Sequence, residues 1–177
     1  MPNAVQIDLI GNRAVVRLKS WEPSTAPNGS GSSFLSSLVP PGLGGKVRVL
    51  CLAPMEWLMV SDAIAPAQLF GRLHQQLEGQ GIAAVDLSCC VKTVRLSGSA
   101  AGDLLSKGCG LDLDPNSFPA ARSTRTRFAQ LPLILDCVDP QPVFDLYVNR
   151  SYLPYLKAWV ADAAVDSEAH TREALRR

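Results

Sequence analysis

The sequence predicts an α+β fold of repeated ββα units, ferredoxin-like, with helices packed on one face of a mostly antiparallel sheet. Three observations predict it. Apolar residues alternate with period two in paired segments, each pair is followed by apolar residues at helical spacing, and Gly, Pro or Ser stands at the junctions. The clearest instance is 85–113, where Val85 and Leu87, then Val91, Val94 and Leu96, describe a half-buried hairpin turning near residues 88–90. Ser97, Gly98 and Ser99 then leave the strand and cap a helix carrying Ala101, Leu104 and Leu105, which stops at Lys107 and Gly108.

In chain order, residues 4–10 alternate with Val5, Ile7 and Leu9 on one side, and 14–19 alternate again after Gly11 and Asn12. This describes a hairpin or an extended arm over 1–21. Residues 22–45 are rich in Pro, Ser and Gly and bury too little apolar surface to fold alone, which makes them a linker or a wrapping arm. Phe34, Leu35, Leu38 and Val39 interrupt that composition. Such side chains either fill a groove on a partner or fold back on their own domain.

A compact α+β domain is expected over 46–165. Its first unit has Val47, Val49 and Cys51 alternating, a turn at Pro54, a strand from Trp57 to Val60, and a helix with Pro66 in first position. Leu69, Phe70, Leu73 and Leu77 form that helix's apolar stripe, and Gly79 and Gly81 end it. The third unit has strands near 125–131, 133–137 and 143–148. Ser151 then caps a helix that tolerates Pro154 in its first turn and buries Tyr152, Leu156, Trp159, Val160 and Ala163. The charged tail 166–177 reads as a frayed helical extension.

A chain of 177 residues buries about 70% of its unfolded surface without staples. Its formal net charge of +1 supplies no field for nucleic acid, and no apolar run reaches the roughly 18 residues that a membrane span needs. With no leader pattern either, the expectation is a soluble cytoplasmic protein. The five cysteines, Cys51, Cys89, Cys90, Cys109 and Cys137, lack C-x-x-C spacing and read as reduced, small apolar residues. Adjacent Cys89 and Cys90 form a redox pair only if they do not face opposite ways.

Catalytic signals are sparse. His74 and His170 have no metal-ligand companion at helical spacing, and His74 reads as a partly buried, hydrogen-bonded helical residue. No serine stands in G-x-S-x-G, and Gly42, Gly44 and Gly45 open no helix. Residues 98–102 offer at most a weak anion site, and Asp112 and Asp114 fit a solvated loop. Arg122, Arg125 and Arg127 are the most suggestive charges, with the last two on one face of a strand, placed for carboxylate or phosphate pairing or simply solvated. No catalytic, cofactor-binding or metal residue is assigned.

Four stretches carry a resemblance: LAPMEWLMV at 52–60, VDLS and TVRLSGSAAGDLLSKGCGLDLDP within 85–115, SFPAARSTRTRFAQLPLIL at 117–135, and FDLYVNRSYLPYLKAWV at 144–160. Together they resemble the gamma subunit of heterotetrameric sarcosine oxidase over roughly residues 52–164. That family is related to the folate-binding T-protein of glycine cleavage, so the resemblance implies an aminomethyltransferase-like fold. It further implies alpha, beta and delta partner subunits that carry FAD, FMN, NAD, tetrahydrofolate and zinc, with no cofactor in this chain. The implied assembly demethylates sarcosine to glycine, yielding hydrogen peroxide and formaldehyde or 5,10-methylenetetrahydrofolate. The corresponding subunit of N-methylglutamate dehydrogenase shares the pattern, and a stand-alone folate-binding one-carbon protein is the alternative from a different class. Ser99 stands where the family usually has proline, Ala121 where glycine is usual, Ser123 where cysteine is common and Arg125 where glutamine is common. Phe34, Leu35, Trp57, Arg150, Tyr152 and Tyr155 are the expected subunit interface, because aromatic residues and arginine dominate interface hot spots.

Overall fold

The computed structural model describes residues 5–21, 39, 42 and 46–174, with side chains described as far as residue 165. The chain divides into two compact units, one of Met1–Ile10 with Lys92–Arg177 and the other of Gly11–Val91. Each has its own sheet and its own apolar core.

The Gly11–Val91 unit holds a four-stranded antiparallel sheet in the order β3-β4-β2-β5, with β2 at Ala14–Ser20, β3 at Arg48–Ala53, β4 at Glu56–Ser61 and β5 at Ile82–Asp86. Helix α1, Pro66–Leu77, lies against β2 and β5. Pro66 starts it where a backbone N–H needs no partner, and Leu69, Leu73 and Leu77 recur at the spacing that puts them on one face. That face meets Val16, Leu18, Trp57 and Met59 from the pleat beneath. Each buried leucine contributes about 1.5–3 kcal/mol by leaving water, so replacing one by a polar residue would detach the helix.

The other unit holds a five-stranded sheet in the order β1-β6-β9-β8-β7, with β1 at Gln6–Ile10, β6 at Val91–Ser97, β7 at Ser123–Phe128, β8 at Leu131–Asp139 and β9 at Val143–Asn149. The pairs β1·β6, β7·β8 and β8·β9 are antiparallel. Two helices cover its core: α2 at Ala101–Ser106 and α3 at Leu153–Ala174, which follows a 3-10 turn at Arg150–Tyr152. Leu104, Leu105, Leu156, Val160 and Ala163 pack on Val94, Leu96, Leu135, Leu146 and Val148. Phe128 meets Trp159 edge to face at 4.7 Å. Gly108 sits against that pair so closely that a Cβ would lie 2.8 Å from Trp159 and 2.9 Å from Phe128.

The α+β class with helices on mostly antiparallel sheets stands, and so do the helix starting at Pro66 and the strand-strand-strand-helix order of the last third. Four expectations are corrected. Residues 1–21 are neither a hairpin nor a separate arm: β1 pairs with β6, whereas β2 lies between β4 and β5 inside the second sheet. The compact structure therefore does not begin at residue 46. The turn at residues 88–90 is present, but its flanking strands belong to different sheets and do not pair. Asp86 Oδ1 accepts from the Ser88 backbone N–H at 2.9 Å, and Ser88 Oγ accepts from the Val15 N–H at 2.9 Å, so the turn is tied to β2 instead of closing a hairpin.

The remaining two corrections concern helix ends. Ala100 is the N-cap of α2 and no side chain caps it; Gly98 makes the bend at φ 107°, and the Ala101 N–H donates to its carbonyl. Tyr152 belongs to the 3-10 turn and is exposed, because the change from 3-10 to α rotates it off the Leu156, Val160, Ala163 stripe.

Candidate subunit interface

The junction between β9 and α3 gathers exposed side chains of the kind that bind other proteins. β9 ends at Asn149, whose extended backbone (φ −59°, ψ 138°) turns the chain into Arg150–Tyr152, and Leu153 continues into α3 with its N–H donating to the Arg150 carbonyl. Pro154 occupies the first helical turn, where its missing N–H costs nothing. Leu156, Val160 and Ala163 anchor one helix face in the core, which forces the rest of the first turn outward. Tyr152 is 39% and Tyr155 49% exposed, with Arg150 exposed beside them. Neither phenol is hydrogen-bonded among the described residues. Two tyrosines with available hydroxyls and a nearby guanidinium on a rigid element can bury ring area and donate hydrogen bonds in the same contact.

The other expected interface residues fare differently. Trp57 is 4% exposed and packs in the α1 core, which corrects its assignment to a surface. It alternates with Leu58 on a central strand, and being interior to a sheet is invisible to a pattern that records only which face a residue takes. Phe34 and Leu35 lie outside the described residues. Trp21, 64% exposed just after β2, and Leu9, exposed on edge strand β1, are apolar surface residues that sequence reasoning did not single out. The signal for Trp21 was its place directly after a strand's last alternating residue.

Arg122, Arg125 and Arg127 are exposed near edge strand β7. Arg122 Nη1 donates to the Ser117 carbonyl at 2.6 Å and the guanidinium lies over the Phe118 ring, 5.9 Å from its centroid. Arg127 Nη2 donates to the Gln130 carbonyl at 3.4 Å. Arg125 and Arg127 share a strand face by register, opposite Ile134 and Pro132.

His74 is exposed and stacks on Phe70, with ring centroids 5.7 Å apart, in place of the expected partly buried, hydrogen-bonded state. Cys89 and Cys90 are exposed in the turn after β5, and Cys109 and Cys137 are buried. Burial pushes the Cys51 thiol up, against a smaller opposing effect of the Ala53 backbone. Among the described residues no three His, Cys, Asp or Glu side chains are grouped to hold a metal ion, and no helix is long and apolar enough to cross a membrane.

Comparison with known proteins gives a consistent set. The sarcosine oxidase gamma subunit family matches residues 37–166. The chain is 34% identical over 121 residues to "Sarcosine oxidase subunit gamma" of Arthrobacter sp., a match covering 62% of this chain and 58% of that protein. It is 31% identical over 149 residues to the protein of the same name from Corynebacterium sp. strain P-1, covering 77% and 71%. The match therefore spans little more than half the length of the Arthrobacter relative. Among solved structures, a chain of heterotetrameric sarcosine oxidase from Corynebacterium sp. U-96 in complex with pyrrole 2-carboxylate superposes with TM-score 0.79 at 24% identity, over 95% of this chain and 87% of that one. Aminomethyltransferase T of the Bartonella henselae glycine cleavage system superposes with TM-score 0.60 at 13% identity, over 90% and 46%. At those identities the two superpositions establish a shared fold.

Proposed function

Because the chain belongs to the sarcosine oxidase gamma subunit family, we propose that it is a non-catalytic subunit of a heterotetrameric oxidase, holding larger flavin-bearing subunits in their working arrangement. The observation that carries this reading is the rigid corner of Arg150, Tyr152 and Tyr155. It lies within the family match, and its two phenols have no partner among the described residues. The chemistry belongs to the partners: alpha, beta and delta subunits bearing FAD, FMN, NAD, tetrahydrofolate and zinc demethylate sarcosine to glycine. Hydrogen peroxide and formaldehyde or 5,10-methylenetetrahydrofolate are the other products, and the assembly works in the cytoplasm.

What this chain supplies is contact area. Truncating a buried aromatic hot spot costs about 2 kcal/mol or more of binding, some 30-fold in affinity. Segment 22–45 supplies a further contact through Phe34 and Leu35.

The test is purification from the native host followed by size-exclusion chromatography with mass spectrometry. Co-elution with larger flavin-absorbing subunits that oxidise sarcosine is the expected result, with Tyr152→Ala/Tyr155→Ala shifting this chain to a free fraction at unchanged melting temperature. Co-elution with subunits that oxidise another N-methyl amine, such as N-methylglutamate, would keep the scaffold role and replace the substrate. A colourless monomer that binds tetrahydrofolate would replace the role as well.

A further inference from the structure

The start of α2 and two loops of the five-stranded unit meet around an open cleft of about 270 Å³. One wall is the start of α2, with Gly102 and Asp103; another is the loop over 113–120; the third is the β8–β9 turn, with Asp139 and Pro140. The floor is apolar, made by the buried side chains of Phe118, Cys137 and Phe144.

The walls are preformed. Pro115, Pro119, Pro140 and Pro142 all line the cleft and fix their backbone φ. The Asp114 carbonyl accepts from the Ser117 and Phe118 N–H groups at 2.9 and 2.7 Å, and Asp139 Oδ1 accepts from the Gln141 N–H at 2.8 Å. A site that needs no ordering loses little affinity to entropy.

Its lining charges are acidic: Asp103 and Asp139 line the cleft, and among the described residues no lysine or arginine does. The loop that forms the second wall adds exposed Asp112 and Asp114. Two cations stand nearby and keep their charge: Arg122 donates to the Ser117 carbonyl with its guanidinium over the Phe118 ring, and Lys107 Nζ donates to the Ala163 carbonyl at 2.9 Å. An apolar floor under an acidic rim is complementary to an apolar side chain flanked by a basic one.

We propose that this cleft docks a surface segment of a partner subunit, which inserts one apolar side chain between Phe118 and Phe144 and sets a lysine or arginine against Asp103 and Asp139. The inference rests on the subunit reading above and deepens it by assigning a second attachment point and its chemistry.

Zero-length carbodiimide cross-linking of the native complex, read by mass spectrometry, tests it together with two variants at exposed positions. Asp103→Lys/Asp139→Lys reverses the rim charge, and Ala120→Trp fills the cleft. The expected result is a cross-link from Asp103 or Asp139 to a lysine of a co-purifying subunit, with each variant raising the free fraction of this chain at least tenfold. For the charge reversal the effect should be larger at low salt, as for attraction between exposed charges. If the chain co-purifies with its subunits but the two carboxylates stay unlinked and both variants assemble like the parent, the cleft inference falls and the subunit reading survives. If the chain co-purifies with nothing, both fall. Should a variant unfold, the cross-link map of the parent complex decides alone.

Discussion

One charge pair from each unit buries the opposite member, while a second pair in the four-stranded unit, half-exposed Arg17 with buried Glu56 at 2.8 Å, hides its carboxylate. In the four-stranded unit the Arg13 guanidinium is the hidden partner, 5% exposed against 57% for Asp62, with Nε and Nη2 donating to that carboxylate at 2.6 and 2.7 Å. In the five-stranded unit the carboxylate is hidden: Asp145 is 1% exposed, and Arg95 binds it with two nitrogens at 2.7 and 2.8 Å. The distances are the same, but the consequences of losing a partner are not. An arginine has a long stem that can carry its head to water, and a guanidinium is weakly hydrated to begin with. An aspartate on a central strand has one carbon of reach and cannot follow. The lesson is that a charge pair's importance depends on which member is trapped, more than on its length.

The largest effect should therefore come from Arg95→Ala, which removes the two-nitrogen arginine partner of the buried Asp145 carboxylate. About 3–5 kcal/mol of stability should be lost, measured by urea unfolding with the midpoint moving at constant slope. Next in size is Gly108→Ala in the same unit. The added Cβ meets two interlocked rings, Trp159 and Phe128, and overpacking of this kind costs about 1–3 kcal/mol. A loss below 0.5 kcal/mol would show that the pair yields easily.

Asp62→Ala in the other unit is the direct counterpart of Arg95→Ala and should cost only about 1.5 kcal/mol, because its carboxylate was largely solvated and Arg13 can turn outward. If it costs as much as Arg95→Ala, the contrast between the two pairs is broken. The smallest change is a gain. Ala121 has φ 64°, a left-handed backbone that disfavours any Cβ, and its N–H is fixed to the Cys137 carbonyl at 2.8 Å. Ala121→Gly should add about 0.5–1 kcal/mol, read as a rise in thermal midpoint.

Local pattern made much of this legible. The α1 stripe, the helix start at Pro66 and the β7 to α3 succession all follow from period and junction residues, because those signals are set by neighbours within a few positions. The pairing of β1 with β6 and of β5 with β2 was not legible. Alternation states which face of a strand is apolar and is silent about its neighbour, so the turn at residues 88–90, which passes the chain between sheets, reads the same as one that closes a hairpin. Of the expected interface, Arg150, Tyr152 and Tyr155 were readable as residue types and are exposed together, while Trp57 was misread because composition does not distinguish an anchor for a partner from one for the core. The acidic cleft left no trace in the sequence, since Asp103 comes from α2, Phe118 from the loop before β7 and Asp139 from the end of β8.

The sequence by itself determined the class of fold, the order of most elements and the family, since each is encoded in short-range spacing or in contiguous motifs. Tertiary structure decided which strands neighbour one another, which member of each ion pair is buried and which aromatic residues face water. Those depend on contacts between residues some fifty or more positions apart, such as Arg95 with Asp145 and Val15 with Ser88. Only closing the chain on itself brings them together.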